Sequence, residues 1–283
     1  MQNGVFSKAD SPRIGIAVTT YNRRALVCRQ AAALRQFTEG NYALVFCDDG
    51  SNDGTPQALR EAGEIVIQGV NRGIAWNKNR GIFYLMAVCG CDIVILLDDD
   101  MLPDEPGWQA RWVQGADRFG MVNYIPEGRV PGLDATTCTP QAPGLTTDLL
   151  GACIAFHRYA WAMVGYMNPR FQRYGHEHTE FTNRFLRNGF GGVIKGHGDQ
   201  AAYYYFVICG GIQLAGVTSH GTAEDVALNA RIWQEIEALQ QHTFSPPWIN
   251  DAERMEFLAE IRLSQAGFSV CLPRQSEDFA FRR

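Results

Sequence analysis

"VILLDDDMLP", residues 94–103, decides the reading of this chain. The apolar run from Ile93 to Leu97 has the length and β-branched content of a buried strand, and it ends in Asp98, Asp99 and Asp100. Three like charges side by side at the end of such a strand repel one another, so a positive partner is expected there. The bland alternative is a solvated acidic turn.

Outward from that strand the first hundred residues alternate. "RIGIAVT", "YALVFCD", "EIVIQG" and "CDIVILLD" read as short apolar strands. "RRALVCRQAAALRQF", "TPQALREAG" and "IAWNKNRGIFYLMAV" carry helical spacing; Thr55 is a candidate cap with Pro56 just inside, and Gly81 weakens the third helix. Continuous apolar strands alternating with helices predict a doubly wound, mostly parallel sheet covered on both faces. In such sheets ligands bind beyond the carboxyl ends of the strands. "TTYNRR", "DDGSNDGT", "NRG" and "DDD" follow the four strands in turn, so four polar segments are expected to converge on one edge.

The 283 residues carry a net charge of −5 and are 46% hydrophobic, which suits a globular protein and argues against a broad nucleic-acid surface. No apolar run approaches a membrane span, and the N-terminal segment has no apolar core, so a cytoplasmic protein is expected, with peripheral membrane contact left open. Eight scattered cysteines with no CxxC read as free thiols.

The second half is less regular. Residues 125–148 read as a long loop, "LLGACIAFH" as a strand, and "HEHTEFTNRFLRNGF" as a helix stopped at Asn188-Gly189. "AAYYYFVI" and "IQLAGVTS" are strand-like. Two amphipathic helices follow, "AEDVALNARIWQEIEALQQ" and "NDAERMEFLAEIRLSQ".

Asp98, Asp99 and Asp100 suit a hard dication such as Mg²⁺ or Mn²⁺, which takes one or two carboxylates and completes its shell with phosphate oxygens. In "CDDGSNDGT" (47–55), Gly50 and Gly54 permit tight turns, and the segment is either a capping loop or a nucleobase site. A carboxylate only accepts hydrogen bonds, so Asp49 would read the N–H edge of uracil, thymine or guanine.

"VTTYNRR", "CDDGSNDGT", "NRGIAWNKNRG" and "LLDDDMLP", in this order, resemble the nucleotide-sugar half of family 2 glycosyltransferases, with the GT-A fold; "GACIAFHRYAWAMVGYMNPRFQRYGHEHTEF" resembles that family's acceptor-side stretch. The resemblance covers roughly residues 13–190. It implies a GT-A catalytic domain over residues 1–221, with a nucleotide-sugar half at about 13–100 and an acceptor half at 101–221, then a C-terminal helical extension over 222–283. It also implies that Thr19 and Asp49 face the base, that Tyr21 and Arg23 line the nucleotide pocket, and that Asp98 approaches the ribose or a metal-bound water. Asp99 belongs with the nucleotide-binding group, and Asp98 and Asp100 with the Mn²⁺ or Mg²⁺ site. Lys78 stands where many relatives carry Arg, and for Arg72 and Lys78 a helix-surface charge is an equal reading. His220, or else His197, would be a third ligand.

Breaking a sugar–diphosphate bond requires stabilised negative charge on the nucleotide and a base for the acceptor hydroxyl. Relatives supply that base from an acidic pair, but this chain reads Glu177-His178. His178 is the first candidate, because its ordinary pKa of about 6.5 is near working pH. Glu177 acting with His178 as its orienter is the second, and a retaining reaction without a base the third. Glu180 is expected to hold Arg184 or the acceptor. His176 reads as a loop histidine. Trp108, Trp112, Trp161, Tyr166 and Phe171 read as core, and no function is assigned to Tyr203, Tyr204 and Tyr205.

These residues point to a metal-dependent transferase that moves a sugar from a UDP-linked donor to an acceptor hydroxyl, and the resemblance alone implies inversion. The rivals are a sugar nucleotidylyltransferase, which the glycine-free "TTYNRR" disfavours, and a nucleotide-sugar binding module without a base. The two C-terminal helices either pack on the catalytic domain or pair two copies.

Overall fold

The computed structural model describes residues 12–196, 198–216, 221–238 and 244–265. Its main sheet runs β3-β2-β1-β4-β8-β6-β10-β7, with β9 also on β10. The expected parallel half is β1 (Ile14–Thr20), β2 (Tyr42–Asp48), β3 (Val66–Gln68) and β4 (Ile93–Asp98). The second half joins through β8 (Leu150–His157), which is antiparallel to both β4 and β6 (Met121–Tyr124). β7 (Gly144–Thr146), β9 (Gly192–Lys195) and β10 (Ala202–Ile208) complete the sheet. A two-stranded ribbon joins β5 (Met101–Pro103), directly after the aspartates, to β11 (Ile212–Leu214).

The parallel register levels the strand ends. Thr19 stands beside Cys47 on one side and Asp98 on the other, and Thr20 beside Asp48.

Helices cover both faces. α1 (Arg24–Phe37) buries Val27, Gln30, Ala31 and Leu34, the spacing of one helix face, and packs with α4 (Gln109–Phe119) on one side of the sheet. α3 (Ile74–Phe83) lies on the other side and is buried from Ala75 to Ile82. Gly81 costs this helix roughly 1 kcal/mol of propensity. The reason is close packing: a methyl group there would come within 2.6 Å of the Ala17 side chain on β1. α2 (Thr55–Glu61) starts at Thr55, but its capping carboxylate is Asp53, which accepts from the Thr55 N–H at 3.0 Å and its hydroxyl at 2.6 Å.

α4, α5 (Arg158–Val164), β5, β6 and β9 were not anticipated from the sequence. The long segment 125–148 is not wholly irregular, since it contains β7 and a short turn at 135–137. α6 (Glu177–Arg187) ends as expected, with Gly189 in the left-handed region at φ +83°. Trp108, Trp112, Tyr166 and Phe171 are core residues.

The C-terminal helices α7 (Ala223–Ala238) and α8 (Asp251–Gln265) pack on the α/β unit. Ile236, Phe257 and Ile261 are buried in the same cluster as Ala17, Trp76 and Ile82. No helix among the described residues is long and apolar enough to cross a membrane. The seven described cysteines are free.

Candidate functional site

The carboxylates at the end of β4 meet two cations from different segments. Arg23, at the start of α1, places NH1 2.9 Å from Asp99 Oδ1 and 3.5 Å from Asp100 Oδ2. Lys78, on α3, places Nζ 2.8 Å from Asp98 Oδ1. Thr19 donates to the same Asp98 oxygen at 3.3 Å, and Thr20 to Asp99 Oδ2 at 2.8 Å. Among the described residues, three carboxylates face two cations there. Burial pushes Asp99 up to about 6, against the opposing pull of Arg23 and Thr20. Burial, and then the charge of Asp98, raises Asp100 as well.

Two residues absent from the sequence reading hold this corner. Gln30 is fully buried and donates from Nε2 to the carbonyls of Asp98 and Met101, both at 2.7 Å, which fixes the turn from either side. Its signal was a polar residue inside the apolar face of α1. Gly151, at the start of β8, accepts from Lys78 Nζ at 2.8 Å, and a methyl group on it would come within 2.6 Å of His178 Cγ. The His178 ring therefore lies directly against the strand that Lys78 touches.

Lys78 is 2% exposed, so the helix-surface reading fails for it. Asp98, Lys78, Gly151 and His178 form a chain of contacts from the donor edge to the start of α6. Glu177 is 3% exposed there, and its Oε1 lies 3.4 Å from His178 Nδ1. Burial would raise the Glu177 carboxyl, but the His178 hydrogen bond and charge, its own backbone N–H and the Lys78 charge together hold it below the ordinary range. Its Oε2 is buried without a partner. His178 Nε2 makes no hydrogen bond among the described residues. Glu180 holds Arg184, with Nε to Oε1 at 2.6 Å and NH2 to Oε2 at 3.0 Å, and both are buried.

Asp49 is more enclosed than expected. Its Oδ1 accepts from the Arg72 N–H at 3.0 Å and Arg80 NH1 at 2.9 Å, and its Oδ2 from the Gly73 N–H at 2.8 Å. Burial raises its carboxyl, while Arg80 and these bonds oppose the rise. Oδ2 keeps one lone pair for a further donor. Arg80 is fully buried, and its other carboxylate is Glu260 of α8, reached at 2.9 and 3.0 Å. The sequence reading did not connect that helix to the site. Arg72 is held at the surface by Glu256 at 3.0 Å and lies over Trp76. Tyr21 is 38% exposed at the rim. His197 and His220 lie outside the described residues.

Among the described residues, no group of three or more His, Cys, Asp or Glu side chains is placed to hold a metal ion. A two-carboxylate site does fit. Asp100 Oδ1 is buried with no partner, and the second oxygen of Asp98 makes no hydrogen bond among the described residues. Two carboxylates with the remaining ligands from phosphate and water is a normal arrangement for Mg²⁺-type sites.

The sequence pattern of glycosyl transferase family 2 matches residues 15–184, a span that holds every one of these site residues except Glu256, Glu260, His197 and His220. An undecaprenyl-phosphate 4-deoxy-4-formamido-L-arabinose transferase of Aeromonas hydrophila is 30% identical over 128 residues, 41% of this chain and 38% of that one. The match thus spans well under half of that relative. Among solved structures, the mannosyltransferase PcManGT of Pyrobaculum calidifontis, in complex with GDP-Man and Mn²⁺, superposes with a TM-score of 0.54 at 18% identity, covering 90% of this chain and 74% of that one. Glucosyl-3-phosphoglycerate synthase of Mycobacterium tuberculosis, in complex with Mn²⁺, uridine diphosphate and glucosyl-3-phosphoglycerate, gives 0.50 at 19% identity, covering 82% and 80%. These likenesses show a shared GT-A architecture. With the family pattern over more than half its length, this chain belongs to glycosyl transferase family 2.

Proposed function

We infer that the chain is a metal-dependent glycosyltransferase that moves a sugar from a nucleoside diphosphate donor, UDP-linked, to an acceptor hydroxyl with inversion. One observation carries the reading. The acidic end of β4 and the Glu177-His178 pair, 77 residues apart at their nearest members, are joined through Lys78 and Gly151 at one sheet edge. A donor diphosphate and an acceptor hydroxyl need such a pairing of a charge-neutralising site with a base.

His178 is the base of this reading. With Nδ1–H donating to Glu177, Nε2 carries the lone pair and can take the hydroxyl proton. Glu177 orients the ring and stabilises its charged form. Lys78 sets its charge beside Asp98, where leaving-group charge develops. Asp98 and Asp100 would hold Mn²⁺ or Mg²⁺, which supplies Lewis-acid stabilisation of the leaving diphosphate. His220 stays in the reading as a further ligand: Ala215, five residues before it, already donates its N–H to the Asp100 carbonyl at 2.8 Å. Thr19, Tyr21, Arg23 and Asp49 form the nucleotide side, with the open lone pair of Asp49 Oδ2 facing a base N–H. Mn²⁺ and a uridine or guanosine nucleotide in both structural neighbours support this donor class.

The test is thermal shift with UDP- and GDP-sugars, with and without Mn²⁺, followed by donor-hydrolysis and transfer assays. Binding raises the melting temperature. Turnover that collapses in Asp100→Ala and in His178→Ala supports the reading. Nucleotide binding without turnover toward a broad acceptor panel overturns it in favour of a binding module, and pyrophosphate release from a nucleoside triphosphate in favour of a nucleotidylyltransferase.

A further inference from the structure

A concavity of about 790 Å³ runs between α6, β10 and α7. That volume is within the usual range of small-ligand sites. It begins at His176, the residue before Glu177, and follows one face of α6 past Asn183 to Arg187. We propose that this groove is a saccharide-binding site that holds the part of the acceptor beyond its reacting hydroxyl; the proposal rests on the transferase reading above.

The lining has the chemistry of a neutral sugar site. Tyr203 and Tyr205 project from one side of β10, and Trp233 comes from α7 with its ring 5.0 Å from that of His176. Aromatic faces suit the C–H faces of pyranose rings. They are also held in place before any ligand arrives. Arg187 donates from Nε to the Tyr203 hydroxyl at 2.8 Å and from NH2 to Glu237 at 2.7 and 2.9 Å, and Trp233 Nε1 donates to Glu237 at 3.0 Å. Preorganised rings lose little entropy on binding.

Arg187 and Glu237 pair with each other, so the described lining of the groove carries no surplus positive charge of the kind a phosphate or nucleic acid would require. Burial holds His176 below the ordinary histidine range.

An unmatched donor points into this space. Asn183 is 3% exposed and its Oδ1 accepts from the Tyr205 hydroxyl at 2.8 Å, yet its amide nitrogen makes no hydrogen bond among the described residues. Asn183 lines the groove, so this nitrogen can donate to a sugar hydroxyl there. The groove straddles the end of the family-matched residues: Thr147, His176 and Asn183 lie inside them, and β10 and α7 beyond.

The test uses the full chain. Calorimetry with short neutral gluco-, manno- and chito-oligosaccharides reads the groove directly, without donor or metal. Binding by at least one series is expected, weakened roughly tenfold in Trp233→Ala, a loss of about 1.4 kcal/mol. Gln234→Ala, at an exposed position on the same rim, is expected to weaken it without affecting folding. In transfer assays both variants raise the acceptor KM and leave the donor KM and the hydrolysis of donor by water unchanged. No binding by any series, or binding indifferent to both variants, overturns the proposal. So does a donor KM that rises in step with the acceptor KM, or Trp233-dependent binding of a peptide library in place of saccharides. If the wild-type chain handles no nucleotide sugar but binds oligosaccharide through Trp233, the transferase reading fails and the groove stands.

Discussion

Glu260→Gln is the perturbation that most sharply tests how the C-terminal helix serves the site. Arg80 is fully buried and uses all five N–H groups, on Glu260 twice and on Asp49, Asn77 and Val70 once each. Glu260 also accepts from Trp76 Nε1 at 3.1 Å. Its packing is tight, since a methyl group on Gly69 would come within 2.0 Å of Glu260 Oε1. Removing one partner of a buried pair costs about 3–5 kcal/mol. Asp49 remains as a second carboxylate, so the low end, about 3 kcal/mol, is expected. At roughly 2–4 °C per kcal/mol for a chain of this size, the melting temperature falls by about 6–12 °C. Glu256→Gln is the internal control on the same helix. Its partner Arg72 is 31% exposed and it is itself 40% exposed, so its loss costs less than about 1 kcal/mol. Thermal unfolding of both variants, with UDP titration of the folded proteins, reads the difference. The geometry further predicts weaker nucleotide binding in Glu260→Gln, because Arg80 helps aim Asp49. Equal melting temperatures for the two variants would refute the reasoning, since burial would then make no difference to the pair.

Three further outcomes follow from the site. Gly151→Ala forces the His178 ring to move, and a misplacement of about 1 Å costs on the order of 100-fold in kcat; a pre-steady-state transfer assay checks it. Lys78→Met leaves Asp98 without its cation and the Gly151 carbonyl without its donor. A stability loss of about 1.5–3 kcal/mol in urea titration and a raised donor KM are expected. Glu177, held below its ordinary range, contributes stability that is present above the unfolded value of about 4.3 and lost as pH falls through the lower folded value. Urea midpoints at neutral pH and at about pH 3 are therefore expected to fall further in the wild type than in Glu177→Gln.

Much of the fold was legible because parallel strands and their helices announce themselves locally. Four apolar runs between helical segments correctly pointed to the β1–β4 half and to polar clusters at one edge. α4 and β5 escaped that reading. α4 begins just after the Trp108 that looked like mere core filler, and β5 is three residues long, with meaning only through its pairing to β11 more than a hundred residues later. The aspartate triplet and Glu177-His178 were visible as chemical types in the right order. Gln30 and Glu260 were visible only as polar residues misplaced in apolar stripes.

By itself the sequence determined the family, the alternation of strands and helices from β1 to β4 and the identity of the charged groups, because these depend on residue type and short-range periodicity. Only the tertiary structure decided what sits opposite each charge. Lys78 could not be told from a surface lysine until α3 was buried against β1 and β2 with its Nζ reaching the Gly151 carbonyl, and Asp49 could not be known as a carboxylate with a single open lone pair until Arg80 and two backbone N–H groups closed on it. Electrostatic partners are chosen by distance in space, and distances of about 3 Å between residues tens of positions apart are set by packing, which no local pattern encodes.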